Sequence, residues 1–418
     1  MRTKWRMLIV KTSRKLWFRA SLYGSLGVFS ALVGAVAKPL LPSGIATQIG
    51  AAAVGNILSI LAASMLAVTT FSLSTMVSAY AAASSSATPR ASTLLIEDSS
   101  AQRALSTFIG AFLFSIVGLI ALSTGIYGDS GRLILFAATV LIIVMIVVTL
   151  LRWIDYLSRL GRVDETIDRV ERVARQCMQK IGEAPHLHAA AYVGVPHDAF
   201  ALESHAVGYV LFVDVEALQS IAVEHDVDVW VEVGAGAYVA PGRCIVRTSR
   251  PVIESVSTRL RDAVSVGDAR THEQDPRFGL IVLTEIAQRA LSPAVNDPGT
   301  AIAIIGAVTR LLCGWVATRR AHAQEETRYH RVFVRALDEH SLFEDVFAPL
   351  SRDSAGLLEV AIRLQKSLAT LGQLSYPAFR DAASAYAARS LQFTDMAIKI
   401  DDDRRHLARI AEWRLLPA

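Results

Sequence analysis

The chain has 418 residues, 52% of them hydrophobic and only 19% charged. Soluble domains average about a quarter charged residues, so the composition argues against a wholly soluble enzyme. The net charge is +4, but the first 19 residues hold seven basic side chains and no acid. The basic balance therefore marks a short leader and excludes a nucleic-acid-binding surface.

Uncharged runs locate the membrane spans. Residues 20–37 carry no charge, and Pro39 to Pro89 form a second run, broken early by Pro39, Pro42 and Gly44. Residues 104–128 and 133–151 are the third and fourth. About 20 apolar residues cross a bilayer core as helix, which predicts four transmembrane helices near 18–37, 45–80, 104–127 and 132–151. Ala35-Val36-Ala37 looks like a signal-peptide cleavage site. The apolar run before it exceeds the usual 7–15 residues, however, so it is read as a span.

Basic residues in short loops face the cytoplasm. The seven-charge leader is placed inside, as are Arg90 and Arg103 in the second loop and Arg152, Arg159 and Arg162 after the fourth span. Lys38 alone marks the first loop, and the third has no basic residue before Arg132. Both termini are expected inside, with Trp5, Trp17 and Trp153 as interfacial anchors.

The second span is rich in hydroxyls, with eleven Ser or Thr residues between Ser64 and Thr88. Such residues let helices approach closely and hydrogen-bond to each other. They also suit a wet pathway, for which Thr69, Ser72 and Thr75 are the candidate lining. No charged or histidine side chain sits at mid-membrane depth, which argues against a coupled transporter.

Residues 152–184 read as a helical stalk or linker. Tyr156, Leu160, Val163, Ile167, Val170, Ala174, Cys177 and Ile181 follow a heptad spacing. That pattern suits either a self-associating stalk or a helix packed on its own domain. Residues 185–250 read as a small β-rich module. Ala206–Asp214 is β-branched and apolar, and Val227–Val233 alternates with period 2. Val215, Leu218, Ile221 and Ala222 make one face of a short helix between them. Gly234-Ala235-Gly236 is read as a hairpin turn and Cys244–Arg247 as the last strand. The order resembles half of a barrel-sandwich hybrid, a small sandwich-like β-fold. No lysine lies between Lys180 and Lys366, so a carrier-type acylation is excluded and no cofactor is expected.

Residues 251–418 read as helical. Asp275-Pro276 and Asn296-Asp297-Pro298 are cap-and-proline helix starts, and Ser292-Pro293 stops the first of these helices. The second is expected to run to about Trp315. The region between Arg270 and Asp297 concentrates His272, Glu273, Asp275, Glu285, Arg289, Ser292, Asn296 and Asp297 on helix ends and turns. Two readings stand there. Either the carboxylates only cap helices, or Arg289, Ser292, Asn296 and Asp297 surround a small anion site at a helix amino end. No catalytic constellation emerges, and the three cysteines, Cys177, Cys244 and Cys313, have no zinc spacing. His186 and His188, two apart in an expected strand, lack further ligands and read as surface histidines. His340, Glu344 and Asp345 read as a solvated helical face.

The segment EQDPRFG, continuing through LTEIAQRALSPAVNDPGTA, resembles the signature of a family of bacterial membrane proteins, domain of unknown function 2254. Phe71-Ser72-Leu73, Thr88-Pro89-Arg90, Gly208-Tyr209-Val210, Asp214–Leu218 and Val239-Ala240-Pro241-Gly242 resemble further parts of it. Glu285 and Gly299 depart from its pattern. The resemblance implies four spans and a cytoplasmic domain, in keeping with the reading above of a bacterial inner-membrane protein whose cytoplasmic α+β domain ends in helices; it brings no activity. The expected function is a homo-oligomeric, channel-like conduit in the lipid bilayer. The alternative is a membrane-anchored scaffold or sensor whose cytoplasmic domain binds a protein or small anion.

Overall fold

The computed structural model describes residues 51–86, 88–91, 99–124 and 129–415, with Ser21 and Ser25. Apart from those two positions, the expected span at 18–37 lies outside the described residues. The chain divides into two compact units, with the boundary between Glu165 and Thr166.

Among the described residues the first unit contains three long helices, α1 (Ala51–Ser86), α2 (Ser99–Ser123) and α3 (Asp129–Arg159). Each is long and apolar enough to cross a membrane. Helix α2 is the most enclosed, and its Phe108 and Phe114 fill the interior with Val54, Leu58 and Leu135. Gly118 permits that approach, since a Cβ there would stand 3.2 Å from Leu58 and 3.4 Å from Leu135. Ile60, Phe71 and Leu141 point outward, each about 70% exposed. An apolar exterior over an apolar core suits a bundle solvated by lipid. Trp153, expected as an interfacial anchor, is instead buried, stacked on Tyr156 and bonded to Ser72.

Helix α3 stops at Arg159, and Gly161 turns the chain at φ +85°. Helix α4 (Val163–Glu183) follows, so the heptad run is two helices and not one. Its seam residues Ile167, Val170, Ala174, Cys177 and Ile181 are buried within the second unit. That burial is what packing on its own domain expects.

Two sheets follow. One is five-stranded, ordered β1 (Ala189–Ala191), β8 (Tyr329–Val334), β4 (Val229–Val231), β6 (Cys244–Thr248), β2 (Phe200–Glu203). Its β1–β8 and β4–β8 pairs are parallel and the rest antiparallel. The other is antiparallel, ordered β5 (Tyr238–Val239), β3 (Gly208–Val213), β7 (Val264–Gly267). Val227, Val229, Val231 and Val233 all enter one apolar core, as their alternation predicts. Leu218 and Ile221 of α5 (Val215–Glu224) and Leu260 of α6 (Glu254–Asp262) complete it. On the opposite face Trp230 stacks on Phe333, 5.2 Å between centroids.

Two expectations are corrected here. Strands β7 and β8 lie within the stretch read as helical, because β-pairing over long sequence distance leaves no local signature. The Gly234–Gly236 turn is not a hairpin: β4 and β5 belong to different sheets, and the Gly236 amide bonds to Val210 O at 2.8 Å.

The helical layer comprises α7 (Pro276–Ala290), α8 (Pro298–Ala321), α9 (His340–Asp353), α10 (Leu358–Gly372), α11 (Pro377–Ala397) and α12 (Asp401–Ile410). Helix α8 is also apolar and long enough to cross a membrane. It packs on α7 and α10, however, and carries Arg310, Arg319 and Arg320. It belongs to this layer and runs past the expected Trp315 to Ala321.

Candidate functional site

The segment from Arg270 to Asp275 clasps the sheets to the helical layer. Gln274 acts as a strand residue: its Oε1 accepts from the Val213 amide at 2.9 Å, and its Nε2 donates to Val213 O at 3.3 Å. Asp275 caps α7 by accepting from the Arg277 amide, and its Oδ2 receives Arg270 Nε and Nη2, each at 2.7 Å. The carboxylate is 2% exposed. Burial pushes its pKa up, while the Arg270 guanidinium pulls it back. Gly236 makes the clasp fit, since its φ is +87° and a Cβ there would overlap Asp275 Oδ2. Arg277 then holds Asp345 of α9 through two bonds of 2.6 and 2.7 Å. Asp345, expected on a solvated face, is thus part of the same framework.

His272 lies against Phe278, 4.5 Å between ring centroids. Both its ring nitrogens are buried without a hydrogen-bond partner among the described residues. Burial lowers its pKa to about 4, so the ring is neutral at pH 7.

The expected anion site is organised as a turn. Asp297 Oδ1 and Oδ2 accept from the amide and hydroxyl of Thr300, at 3.0 and 2.6 Å. Those bonds hold the Asp297 carboxyl below its ordinary pKa. Ser292 Oγ donates back to Arg289 O at 2.7 Å, and Asn296 takes φ +49° while its amide bonds to Ser292 O. Arg289 Nε is buried without a hydrogen-bond partner among the described residues. The four residues are close in sequence, but the carboxylate that caps α8 already occupies its amino end.

In the spans, Thr69 Oγ1 donates to Met65 O at 2.6 Å and Thr75 Oγ1 to Phe71 O at 3.0 Å. Ser72 is 1% exposed and accepts from Trp153 Nε1 at 2.9 Å. Thus Ser72 belongs to the interior of the bundle, while Thr69 and Thr75 bond within α1.

His186 and His188 flank a turn, not a strand, with Leu187 and His188 at φ 56° and 61°. Their amides donate to the two Glu325 oxygens at 2.9 and 2.6 Å. The turn is a cradle for an internal carboxylate.

Two concave sites escaped the sequence reading. A cleft of about 600 Å³ is lined by Tyr192, Glu232, Arg247 and Arg335. There Glu232 is already bonded to Tyr192 and Arg247, both at 2.9 Å. A cavity of about 450 Å³ lies among α8, α9 and α11, with Glu339 at its wall. Glu339 Oε1 accepts from Trp315 Nε1 and the Tyr376 hydroxyl, both at 2.8 Å. Arg319 Nε stands 3.9 Å from the same oxygen, and its Nη1 donates to Gly182 O at 3.2 Å. Burial and the Glu339 bond raise the Tyr376 pKa, keeping its phenol a donor. The residues come from 315 to 376, a separation that no motif spacing reveals; a buried Trp needing a partner for its Nε1 was the one available hint.

The family model described as predicted membrane protein (DUF2254) matches residues 13–370. The chain belongs to this family. Uncharacterized proteins of Mycobacterium bovis and Mycobacterium tuberculosis are 36% identical to it over 116 residues. That match covers 26% of this chain and 22% of each relative, so it spans about a fifth of their length. No solved structure matches. The DUF2254 model covers the membrane helices and the clasp, along with the walls of the Glu339 cavity up to residue 370; Tyr376 and Asp381 lie beyond it.

Proposed function

We propose that this DUF2254 protein is a membrane-anchored binding protein, in which the helices of the first unit hold a ligand- or partner-binding α+β unit at the cytoplasmic face of a bacterial inner membrane. The observation that carries this reading is the hydroxyl bonding of α1. Ser64, Thr69, Thr70 and Thr75 bond to carbonyls of their own helix, and Ser72 is bonded by a buried tryptophan. The Ser72–Trp153 bond, between two buried side chains, is what supports a dry bundle at that face of α1; the local bonds leave the other hydroxyls without need of water. The second reading is the homo-oligomeric conduit, for which the outward Thr70 and Thr75 would have to line a shared lumen. The burial of the α4 seam within its own unit weighs against self-association through that helix.

Orientation rests on the basic leader and the inner loops, which favour both termini inside. A cysteine at position 128 should then react with an impermeant reagent from outside, and one at the exposed Ser220 should not, in a chain whose native cysteines are replaced. We read the two sheets, which share one core, as a sandwich-like structural support.

Reconstitution into liposomes decides between the two readings. The anchor reading expects ion and small-solute flux no greater than in empty vesicles, with a native mass in detergent of one or two copies. Flux that Thr70→Val or Thr75→Val abolishes, together with a larger ring-sized mass, would establish the conduit.

A further inference from the structure

We infer that the cavity at Glu339 is a binding site for an organic cation, a protonated amine carrying an apolar or aromatic body. The inference rests on reading the second unit as a binding domain and names the chemistry of its ligand.

At about 450 Å³ the cavity falls within the range of small-molecule sites. Its walls are mixed in a specific way. Leu337, the Trp315 edge and the Tyr376 ring supply apolar and aromatic surface. Asp338, Glu339 and Asp381 supply three carboxylates against the single guanidinium of Arg319. Arg319 is moreover committed, through Gly182 O and the Glu339 Oε1 oxygen. An anion would therefore meet excess negative charge and no uncommitted guanidinium.

Glu339 is the built element. Its side chain is 15% exposed, and Trp315 and Tyr376 both aim their protons at Oε1. Oε2 takes no donor from the protein among the described residues. The carboxylate is thus held rigidly by one oxygen while the other remains an acceptor, the arrangement that a charge-assisted N–H bond requires. The Tyr376 ring beside it adds cation–π attraction. An inner-sphere metal site fits less well, because no three acid, His or Cys groups among the described residues converge closely enough to hold a metal ion. Carboxylates spread around a cavity suit a ligand larger than a bare ion.

The test uses the full-length chain in detergent at pH 7 and three probes of one shape: phenethylamine, 2-phenylethanol and phenylacetate. Calorimetric titration should show saturable one-to-one binding of the amine. The alcohol should bind at least about tenfold more weakly and the carboxylate not at all. Glu339→Gln should weaken amine binding by about tenfold or more. Its amide oxygen still accepts from Trp315 and Tyr376, so the thermal midpoint should hold. Asp381→Asn, at an exposed position, should weaken the amine a few-fold without touching the fold.

Equal affinity for amine and alcohol would overturn the inference. So would amine binding unchanged in both variants, or no amine binding up to about 10 mM. The liposome assay on the same preparation separates the two claims. A chain that conducts nothing and ignores all three probes removes the amine site and leaves the anchor reading standing. A chain that conducts and binds the amine does the reverse.

Discussion

The two units satisfy their buried polar groups by different means. In the membrane bundle Ser106, Thr107, Ser115 and Thr139 each bond to a carbonyl of their own helix, four residues back. The second unit has such local bonds too, at Thr284 and Ser354, but adds many that join distant elements: Gln274 to Val213, Arg277 to Asp345, Trp315 to Glu339, Gln288 to Asp353. A local bond satisfies a hydroxyl whatever lies beside the helix, so it says little about which neighbour belongs there. A long-range bond fails when its partner moves. The bundle is accordingly specified by shape, around Gly118 and Phe108, and the second unit by a polar framework. Such a division suits an anchor joined to a domain that must keep its cavities in register.

The comparison breaks most visibly at Asp275. Removing a carboxylate that is 2% exposed leaves the Arg270 guanidinium buried without its counter-charge. Breaking one partner of such a pair costs ~3–5 kcal/mol. Asp275→Ala should therefore lower the unfolding free energy of the second unit by that much, read from chemical denaturation followed by circular dichroism. A loss below about 1 kcal/mol would show that Arg270 finds solvent and that the clasp is not structural.

Acid should find the same region through His272. In the unfolded chain its imidazole takes up a proton near the ordinary 6.5, and in the folded chain only near about 4. Between those values the unfolded state binds more protons. Stability is therefore complete above pH 6.5 and falls as pH drops toward 4, by up to about 3 kcal/mol. His272→Phe should flatten that part of the pH profile. A variant with the wild-type slope would place the lost protonation elsewhere, with His186, whose pKa is also lowered by burial, the next to replace.

These two effects also mark how far the sequence could be read. The cap at Asp275-Pro276 was legible, because a carboxylate before proline is a local device with a local geometry. Its ion pair with Arg270 and the need for Gly236 beneath it were not, since Gly236 arrives from a turn 39 residues earlier. The three described spans were legible from charge-free length alone. The alternation of Val227–Val233 gave its buried face, but nothing in it announced β8, which pairs with it in parallel from about a hundred residues away. The Glu339 cavity was illegible for the same reason. Its walls come from three helices and the loop before α9, and each wall residue, read alone, is an ordinary surface or core position.

Within the bundle the bond between Trp153 and Ser72 is of the long-range kind, and it sharpens the contrast. Ser72 accepts from Trp153 across 81 residues, with both side chains buried. Ser72→Ala would leave the indole N–H without a partner, at a cost of ~1–3 kcal/mol. Thr70→Val and Thr75→Val remove hydroxyls that serve only their own helix and should stay within about 0.5 kcal/mol of wild type. Thermal unfolding in detergent, followed by tryptophan fluorescence, reads all three. Equal effects would erase the distinction between locally and distantly satisfied hydroxyls.

The smallest effect belongs to Asp297, where the structure offers a cap and the sequence also allowed an anion site. The carboxylate accepts from the Thr300 amide at 3.0 Å and the Thr300 hydroxyl at 2.6 Å, filling the positive end of α8 with a charge of the protein's own. Asn caps nearly as well as Asp, so Asp297→Asn should retain most of the stability, whereas Asp297→Ala should lose ~0.5–2 kcal/mol. The carboxyl of Asp297 is held below its ordinary pKa by these bonds, so the charged cap is present above that ordinary value and fades as acid protonates it. A free helix end would behave in the opposite way: removing the carboxylate would expose amides and Arg289 to inorganic phosphate. Titrating phosphate into Asp297→Ala thus tests the point directly. Restoration of the lost thermal stability by millimolar phosphate would show a latent anion site that Asp297 normally occupies, and a stability loss that phosphate leaves untouched would show a cap and nothing more.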